Sequence, residues 1–559
     1  MSISADILKG TLYIFNLKAF LAKMPDSAAA YDYLKLAAAL QGLVNREKPQ
    51  IYFIYENTSF NNQYNFGIDK FWLGELSSGG RYFSRCIMDH DAYAPSFDGF
   101  FKLMSDFSDF YDGFVLWDDC VPATANVAST AAGAQNLLPV CYCPGDSGSL
   151  YNSLFINKPA RQSLSDVRLD LTGKFTKASE YIPDTDILST GSPKNDAYLW
   201  AKAKYLDAGL TNPLRMAYCT DSWIRPCGEN GGKKIYPAMF MTTLANSDFH
   251  IAQKAFFWDL SPDCKIAPID DRNQNAGEDV RTLCALLLSQ ARRSGFCIFN
   301  VSGFVPWNFK YTSTSDPEAS KMGDVESEWT MINRISSYGG QTEADANAGV
   351  GDISNLSALS HVPLNPEFRQ NNAKGRDSKL VFDPETHYFM IYMGDYDSAS
   401  WTSSILSMLW ENSKNERGKY PLSWPVATGI SGRIPHLFNY IYENATQNDF
   451  FVAGDNGTAY LNASMFEPEL RPAGMPDMLP VWEEYNIKYN RRFDVDITGF
   501  YINTSKNTLC SSAMSPRLME SISKMTPAGA SSQTEDGYPG YYKAVKNPES
   551  GAVTLFINY

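Results

Sequence analysis

Two aspartates one residue apart, in the stretch IYMGDYDSASW at positions 391–401, are the first feature that could do chemistry. An apolar, strand-like run ends there in Asp395 and Asp397, with Tyr396 between them. On an extended strand residues i and i+2 face the same side, about 6.5–7 Å apart, so both carboxylates address one wall. Two such groups repel, and the pair needs a proton, a cation, a basic partner or open solvent. Cleavage of a glycosidic bond uses a pair of this kind: one protonated carboxyl delivers a proton and one ionised carboxylate acts as base or nucleophile. Mutual repulsion favours the required division, because it keeps one of the two protonated. Retaining geometry wants roughly 5–5.5 Å between the groups and inverting geometry roughly 6.5–9.5 Å, so spacing alone does not choose the outcome. A divalent cation held by both acids and a third oxygen is another use of the pair. Helix capping is a third, since Asp397 or Ser398 precedes a helical segment opening near Trp401.

Further candidates are spread along the chain. Glu326 and Glu328, in VESEWTM, open a predicted helix, where the dipole favours acids. Asp270 and Asp271 lie in the loop PIDDRNQNAGED, either as a solvated turn or as part of a cleft. Asp455, Asn456, Gly457 and Tyr460 follow the strand-like DFFVAGD; Gly457 suits a tight turn, and Asn456 offers the donor and acceptor that sugar hydroxyls demand. Trp307, Trp401 and Trp424 are aromatic candidates for stacking on a sugar ring, or for plain packing. The five histidines (His90, His250, His361, His387 and His436) show neither HxH nor HExxH spacing, so no His-rich metal centre and no cofactor is expected. PGDSGS at 144–149 imitates a serine-protease loop, but the upstream STAAG lacks the histidine that would deprotonate Ser147. CGENGGKK at 227–234 lacks the spacing that wraps phosphates.

Positioning these residues requires a layered α/β scaffold. In the amino-terminal part the strand-like GTLYIF and PQIYFIY flank a helical pattern of Tyr31, Leu34, Leu36, Leu40 and Leu43; then come GFVLWDD, the helical NVASTAAGAQN and LPVCYC. This reads as an open α/β domain over 1–150, followed by a smaller α/β or α+β domain over 151–253. From 254 to 559 candidate strands alternate with helical patterns: AFFWDLS, GFCIFNVSGF, GDISNLSA, HYFMIYMGD, YPLSWPVA, DFFVAGD, ITGFYINT and AVTLFINY. That rhythm predicts a (β/α)8-type barrel, with a doubly wound open sheet as the alternative. In a barrel the active site lies where strands end, and here those ends carry Asp259, Trp307, Asn355, Asp395 with Asp397, Trp424, and Asp455 with Asn456.

With 559 residues the chain is long enough for two to four domains. Its 62 acidic against 48 basic residues give a formal charge of −14, which argues against nucleic acid as a partner. The 33 Phe, 32 Tyr and 11 Trp suit sugar-stacking surfaces and large cores alike. No apolar run is long enough to span a membrane, and MSISADILKGTLYIF lacks the pattern of a signal peptide, so the sequence as it stands reads as cytoplasmic, or as secreted if a signal has been trimmed. The ten cysteines are scattered and read as free thiols.

NDFFVAGDNGTAYLNASMF (448–466) resembles the signature of the GxGYxYP family, a group associated with glycoside hydrolysis. LQGLVNREKPQIYF, GFVPWNFKYT, VESEWTMI, MGDYDSASW and RGKYPLSWPV follow that family's order of blocks. Gly457 and Tyr460 match the signature, while Ala459 replaces its second glycine and Asn462 and Ala463 its final Tyr-Pro. The family's Ser-Asp-Gly-Asp-Asn block is here Gly394-Asp395-Tyr396-Asp397-Ser398. The resemblance implies several amino-terminal α/β domains, a carboxyl-terminal domain carrying the signature, and a carbohydrate ligand. It favours Glu328, beside Trp329, as a site residue. The expectation is a carbohydrate-active hydrolase using Asp395 and Asp397, with Glu328 or Asp271 opposite them; the alternative is a non-catalytic glycan-binding or scaffold protein with the same cleft.

Overall fold

Strands form where branched and aromatic side chains cluster, and the first nine fall into three like groups. The computed structural model describes residues 10–25, 27–55, 67–157, 162–220, 244, 246–265, 274–303, 328–344, 355–370, 385–387, 391–394, 396, 398–501, 504–505, 508–509, 514–532, 542–547 and 553–558. The chain divides into two compact units: Met1–Gly295 with Phe299–Met331 and Asp345–His361, and Phe296–Ile298 with Ile332–Ala344 and Val362–Tyr559.

In the first unit β1 (Thr11–Phe15) lies between β2 (Ile51–Phe53) and β3 (Ile87–Asp89), all parallel. Strand β4 (Gly113–Trp117) lies in the same way between β5 (Leu137–Cys141) and β6 (Val167–Asp170). So does β7 (Arg215–Tyr218) between β8 (Phe256–Trp258) and β9 (Phe299–Ser302). In each group three parallel strands lie side by side with the first in the middle, and the middle strands begin at positions 11, 113 and 215. AFFWDLS and GFCIFNVSGF therefore belong to this unit as β8 and β9, and they pair with β7.

Helices Ser27–Val44, Ala123–Gln135 and Ser247–Ala252 each link the first strand of a group to its second. Helix Ala123–Gln135 is built from small residues and is buried along most of its length. Side chains of this size let neighbouring backbones approach on every side. A Cβ on Gly42 would collide with the Asp248 carbonyl oxygen, and one on Gly133 would stand 3.0 Å from the carbonyl oxygen of Ile251. Asn355, expected at a strand end, is instead a buried residue with φ of 54°. Its amide imitates a strand: it accepts from Phe53 N (2.8 Å) and donates to Phe53 O (2.8 Å), and it also bonds Gln41 and Asp69. The helix Leu356–Leu359 follows it, where the strand GDISNLSA was expected. Just after PGDSGS, Asn152 Nδ2 donates back to the carbonyls of Pro144 and Asp146 within it and of Cys143 before it, which makes that loop a structural one.

Asp248 lies fully buried in this unit, and burial pushes its carboxyl up to about 6 although Ser357 N donates to it at 2.9 Å. Because the folded value lies above the ordinary 3.8, the contribution is complete below about pH 4 and is lost as pH rises through 6. Asp248→Asn is expected to remove that dependence and to raise stability at pH 7.5 by roughly 2–3 kcal/mol. Denaturant midpoints of both proteins at pH 4.5 and pH 7.5 check this; equal pH slopes in the two would contradict it.

The second unit holds β10 (Gly340–Glu343) and a six-stranded sheet: β11 (Leu422–Val426), β12 (Asp449–Ala453), β13 (Ile497–Tyr501), β16 (Gly529–Ser532), β18 (Val553–Asn558) and β17 (Tyr542–Lys546), in that spatial order. A separate hairpin is formed by β14 (Thr504–Ser505) and β15 (Thr508–Leu509). Neighbours from β11 to β18 are parallel, and β17 is antiparallel to β18. Tyr392 adds a parallel bridge to Ser423 on β11. The closed (β/α)8 barrel expected for 254–559 is not seen among the described residues. Two of its strands belong to the first unit, and the sheet ends on an antiparallel edge strand, which a barrel of parallel strands has no place for. What holds is the run of parallel strands separated by helices. No helix among the described residues is long and apolar enough to cross a membrane.

Candidate functional site

Strands β11 and β12 pair in register from Leu422 opposite Asp449 to Val426 opposite Ala453, so their carboxyl ends coincide. Two loops leave that edge together. After β11 the chain makes a short turn, Thr428–Gly432, and enters helix Pro435–Glu443 through Arg433 and Ile434. After β12 it makes the turn Gly454-Asp455-Asn456-Gly457, closed by Gly457 N donating to Gly454 O at 3.1 Å. Asn456 and Gly457 are both left-handed, with φ of 50° and 96°. Asparagine tolerates that region and glycine adopts it freely. A side chain at Gly457 would also collide with Asn486 Oδ1, which accepts from Thr458 N at 3.0 Å. The signature glycine thus locks the loop onto helix Leu479–Arg492.

Strand β10 meets this loop edge to edge, with Thr342 N to Tyr460 O at 2.7 Å and the reciprocal bond at 3.0 Å. Gln341 and Glu343 share one face of β10 by the period of two. Gln341 Oε1 accepts from Thr458 Oγ1 at 3.3 Å, and Glu343 Oε2 lies 2.6 Å from Arg433 Nη2 with both side chains 1% exposed. His436, in the first turn of helix Pro435–Glu443, has Nε2 3.1 Å from Ser403 Oγ, and both residues are buried. Ala427 N donates to Tyr396 O at 3.1 Å, which brings the segment around Tyr396 to the carboxyl end of β11. Gly394 has φ of 83°, and the Tyr396 ring folds back over it, so that a Cβ there would stand 3.2 Å from the phenol. Ser398 O accepts from Thr402 N at 2.9 Å, which opens the helical segment beyond. On β13, burial pushes the Tyr501 phenol up to about 12.

The sequence candidates fall unevenly on this frame. Asp395, Asp397, Asp271 and Trp307 lie outside the described residues. Glu328 is the first residue of helix Glu328–Ser337 and Trp401 the last of helix Ala399–Trp401; their side chains lie outside the described residues. Asp455 occupies the turn after β12, nearly buried. Asn456 donates to Leu461 O at 2.6 Å, and Tyr460 is buried beside β10. Trp424 has its indole N–H on Asp449 Oδ1 (2.8 Å) and its ring against Trp410 (centroids 5.1 Å apart), so its faces serve packing. Asp449 also holds Arg417 (2.8 Å), whose guanidinium lies 3.8 Å from the Trp410 ring centre. Sequence reasoning missed Gln341, Glu343, Ser403, Arg433 and His436. GRIPH, an arginine and a histidine between a strand and a helix, was a readable signal for two of them. GQTE was not, because four residues without apolar alternation leave no trace of a strand. Asp118, Asp119 and Cys120, close enough together to hold an ion, follow β4; both carboxylate oxygens of Asp118 already accept from backbone N–H groups of Cys120 and Gly173.

Comparison with known proteins bears on the same region. Residues 385–546 match the family model described as "GxGYxYP putative glycoside hydrolase C-terminal domain". That span contains Ser403, Arg433, His436 and Asp455, while Glu343 lies before it. The resemblance read from the signature loop therefore holds for the carboxyl-terminal part of the chain. Among solved structures the chain is similar to "a putative hydrolase from Bacteroides thetaiotaomicron VPI-5482", with a TM-score of 0.59 and 13% identity over 98% of this chain and 80% of that one. At that identity the likeness is one of fold. No curated protein matches the chain.

Proposed function

We propose that this chain, with a carboxyl-terminal domain of the GxGYxYP type, hydrolyses glycosidic bonds at the carboxyl edge of β11 and β12. The observation that carries the reading is the gathering of ionic and hydrogen-bonding groups from three separate segments on one strand edge: Glu343 from β10, Arg433 from the loop after β11, and Asp455 from the loop after β12. In open α/β sheets ligands bind outside the carboxyl ends of the strands. Asp395 and Asp397, next in sequence to the Gly394 and Tyr396 that approach this edge, supply the acid and the base or nucleophile. Asp455 orients the sugar hydroxyls. Trp424 contributes to the floor of the sheet rather than to stacking.

Reporter glycosides of varied sugar and anomeric form, offered to the full chain, test this. Asp395→Asn and Asp397→Asn are each expected to lower kcat/KM by about 10²–10⁴-fold with glycan binding retained, and Asp455→Asn to raise KM. Turnover that survives chelation separates acid–base chemistry from a cation held between the two aspartates. Unchanged turnover in both the Asp395 and Asp397 variants would remove their assigned roles. Binding without turnover of any glycoside would favour the glycan-binding reading.

A further inference from the structure

Helix Leu479–Arg492 buries a stripe of four residues, Leu479, Trp482, Asn486 and Asn490, of which the last two are polar. Their spacing of four puts both amides on one face, a turn apart. Asparagine is a poor helix former, and an amide taken out of water costs free energy unless it is hydrogen-bonded, so apolar side chains would fill this stripe at less cost. A backbone carbonyl orients each amide. Asn486 Nδ2 donates to Trp482 O at 2.9 Å in its own helix, and Asn490 Nδ2 to Met525 O at 3.4 Å, at the end of helix Pro516–Met525. Both Oδ1 atoms therefore face the two loops of the strand edge. Asn486 Oδ1 accepts from Thr458 N, in the loop after β12, at 3.0 Å. Asn490 Oδ1 accepts from Thr428 Oγ1, in the turn after β11, at 3.3 Å. The loops also hold each other: Gly429 N donates to Thr458 O at 3.0 Å, and a side chain at Gly429 would collide with that oxygen. Thr428, Thr458, Asn486 and Asn490 are all buried.

We propose that Asn486 and Asn490 are positioning residues, a single clasp that fixes the loop carrying Asp455 against the turn leading to Arg433. This rests on the reading of that edge as a glycoside site and adds how the site keeps its shape. Neither asparagine touches the sugar; each acts through the loop it holds. The bonds close a ring, from the helix to Thr428, from Gly429 to Thr458, and from Thr458 back to the helix. Breaking one link loosens both loops, because each bond in such a network depends on the others for its geometry. Two ties that served their own loops separately would lack this coupling. The consequence for catalysis follows from distance, since a misplacement of about 1 Å in a substrate-positioning group costs up to about 10²-fold.

Amide exchange on the full chain tests the clasp with Asn486→Ala, Asn490→Ala and Thr428→Val. The last removes one hydroxyl at nearly constant volume and leaves both helix bonds intact. Asn486→Ala is expected to speed exchange by about 10–100-fold in residues 427–433, the loop it does not touch. Asn490→Ala should do the same in residues 454–461, and Thr428→Val should do so by about 3–10-fold, with β12 and helix Leu479–Arg492 keeping native protection. Faster exchange confined to the loop that each residue touches overturns the clasp, and so does an equal loss of protection throughout the unit. With a reporter glycoside, Asn486→Ala should raise KM by about 10-fold, yet add less than about 3-fold to a chain already carrying Asp455→Asn, because both act on one loop. Native KM and kcat alongside faster loop exchange would remove the positioning role. A native chain that turns over no glycoside overturns the glycoside reading alone, and the exchange measurements still decide the coupling.

Discussion

Arg433→Met is expected to destabilise the second unit by about 3–5 kcal/mol, the usual cost of breaking a buried ion pair from one side. Glu343 and Arg433 are each 1% exposed and 2.6 Å apart, so removing the guanidinium strands a carboxylate in the interior. Isolated charge there costs several kcal/mol even after relaxation, and all four residues of the strand that carries Glu343 are buried. The pair's own net contribution is small by comparison, since both ions were desolvated to make it. The double variant Arg433→Met with Glu343→Leu should therefore recover most of the loss, while Arg433→Lys should recover only part, having a point charge in place of a fork. Urea midpoints of the four proteins decide this. A single variant within about 1 kcal/mol of native, or a double variant no better than the single, would show that the charges are not mutually dependent. The same series bears on function: stability restored with glycoside turnover still lost would assign the pair to the site as well as to the fold.

Much of the scaffold was legible because its signals are local. GFVLW and DFFVA read as strands and are β4 and β12. NVASTAAGAQN read as a helix, and its small residues explain why helix Ala123–Gln135 is buried along most of its length. The closed barrel was misread for a physical reason. Parallel strands alternating with helices have the same periodicity whether the sheet closes or stays open. The difference rests on which edge strands meet, and the antiparallel direction of β17 leaves no trace in YKAVK. Asn355 reads as a strand end in GDISNLSA. Its actual task, replacing a peptide group beside β2, depends on partners some 300 positions away. Trp424 shows the limit for the site itself. An aromatic near a strand end reads the same whether it faces a sugar or Asp449, and only the partner tells them apart.

Arg46→Met is expected to cost about 3–4 kcal/mol of stability in the first unit, as several charge-assisted hydrogen bonds are lost together. Arg46 follows helix Ser27–Val44, and its guanidinium serves the ends of two others. Nε donates to Ala252 O (3.1 Å), Nη1 to Asn136 Oδ1 (2.7 Å) and Nη2 to Gly133 O (2.9 Å). The carboxyl ends of three linking helices, one from each sheet, thus face one cation, which the negative ends of their dipoles favour. Burial lowers its pKa, and the charge of the neighbouring Glu47 opposes the shift. The residues around it have matching duties. Asn45 Oδ1 accepts from Gln50 N and Ile51 N, both at 2.9 Å, setting the turn into β2, and Gly42 lets helix Ser247–Ala252 lie against its own helix. LQGLVNREKPQIYF, met first as one block of a family resemblance, is on this reading a joint between modules rather than part of a site. Arg46→Lys tests the distinction. One ammonium cannot meet carbonyls on two helices in the fixed directions of a fork, so lysine should recover less than half the loss. Thermal midpoints and amide exchange in helix Ser247–Ala252 read the effect, and a lysine variant as stable as native would mean that charge alone holds the joint.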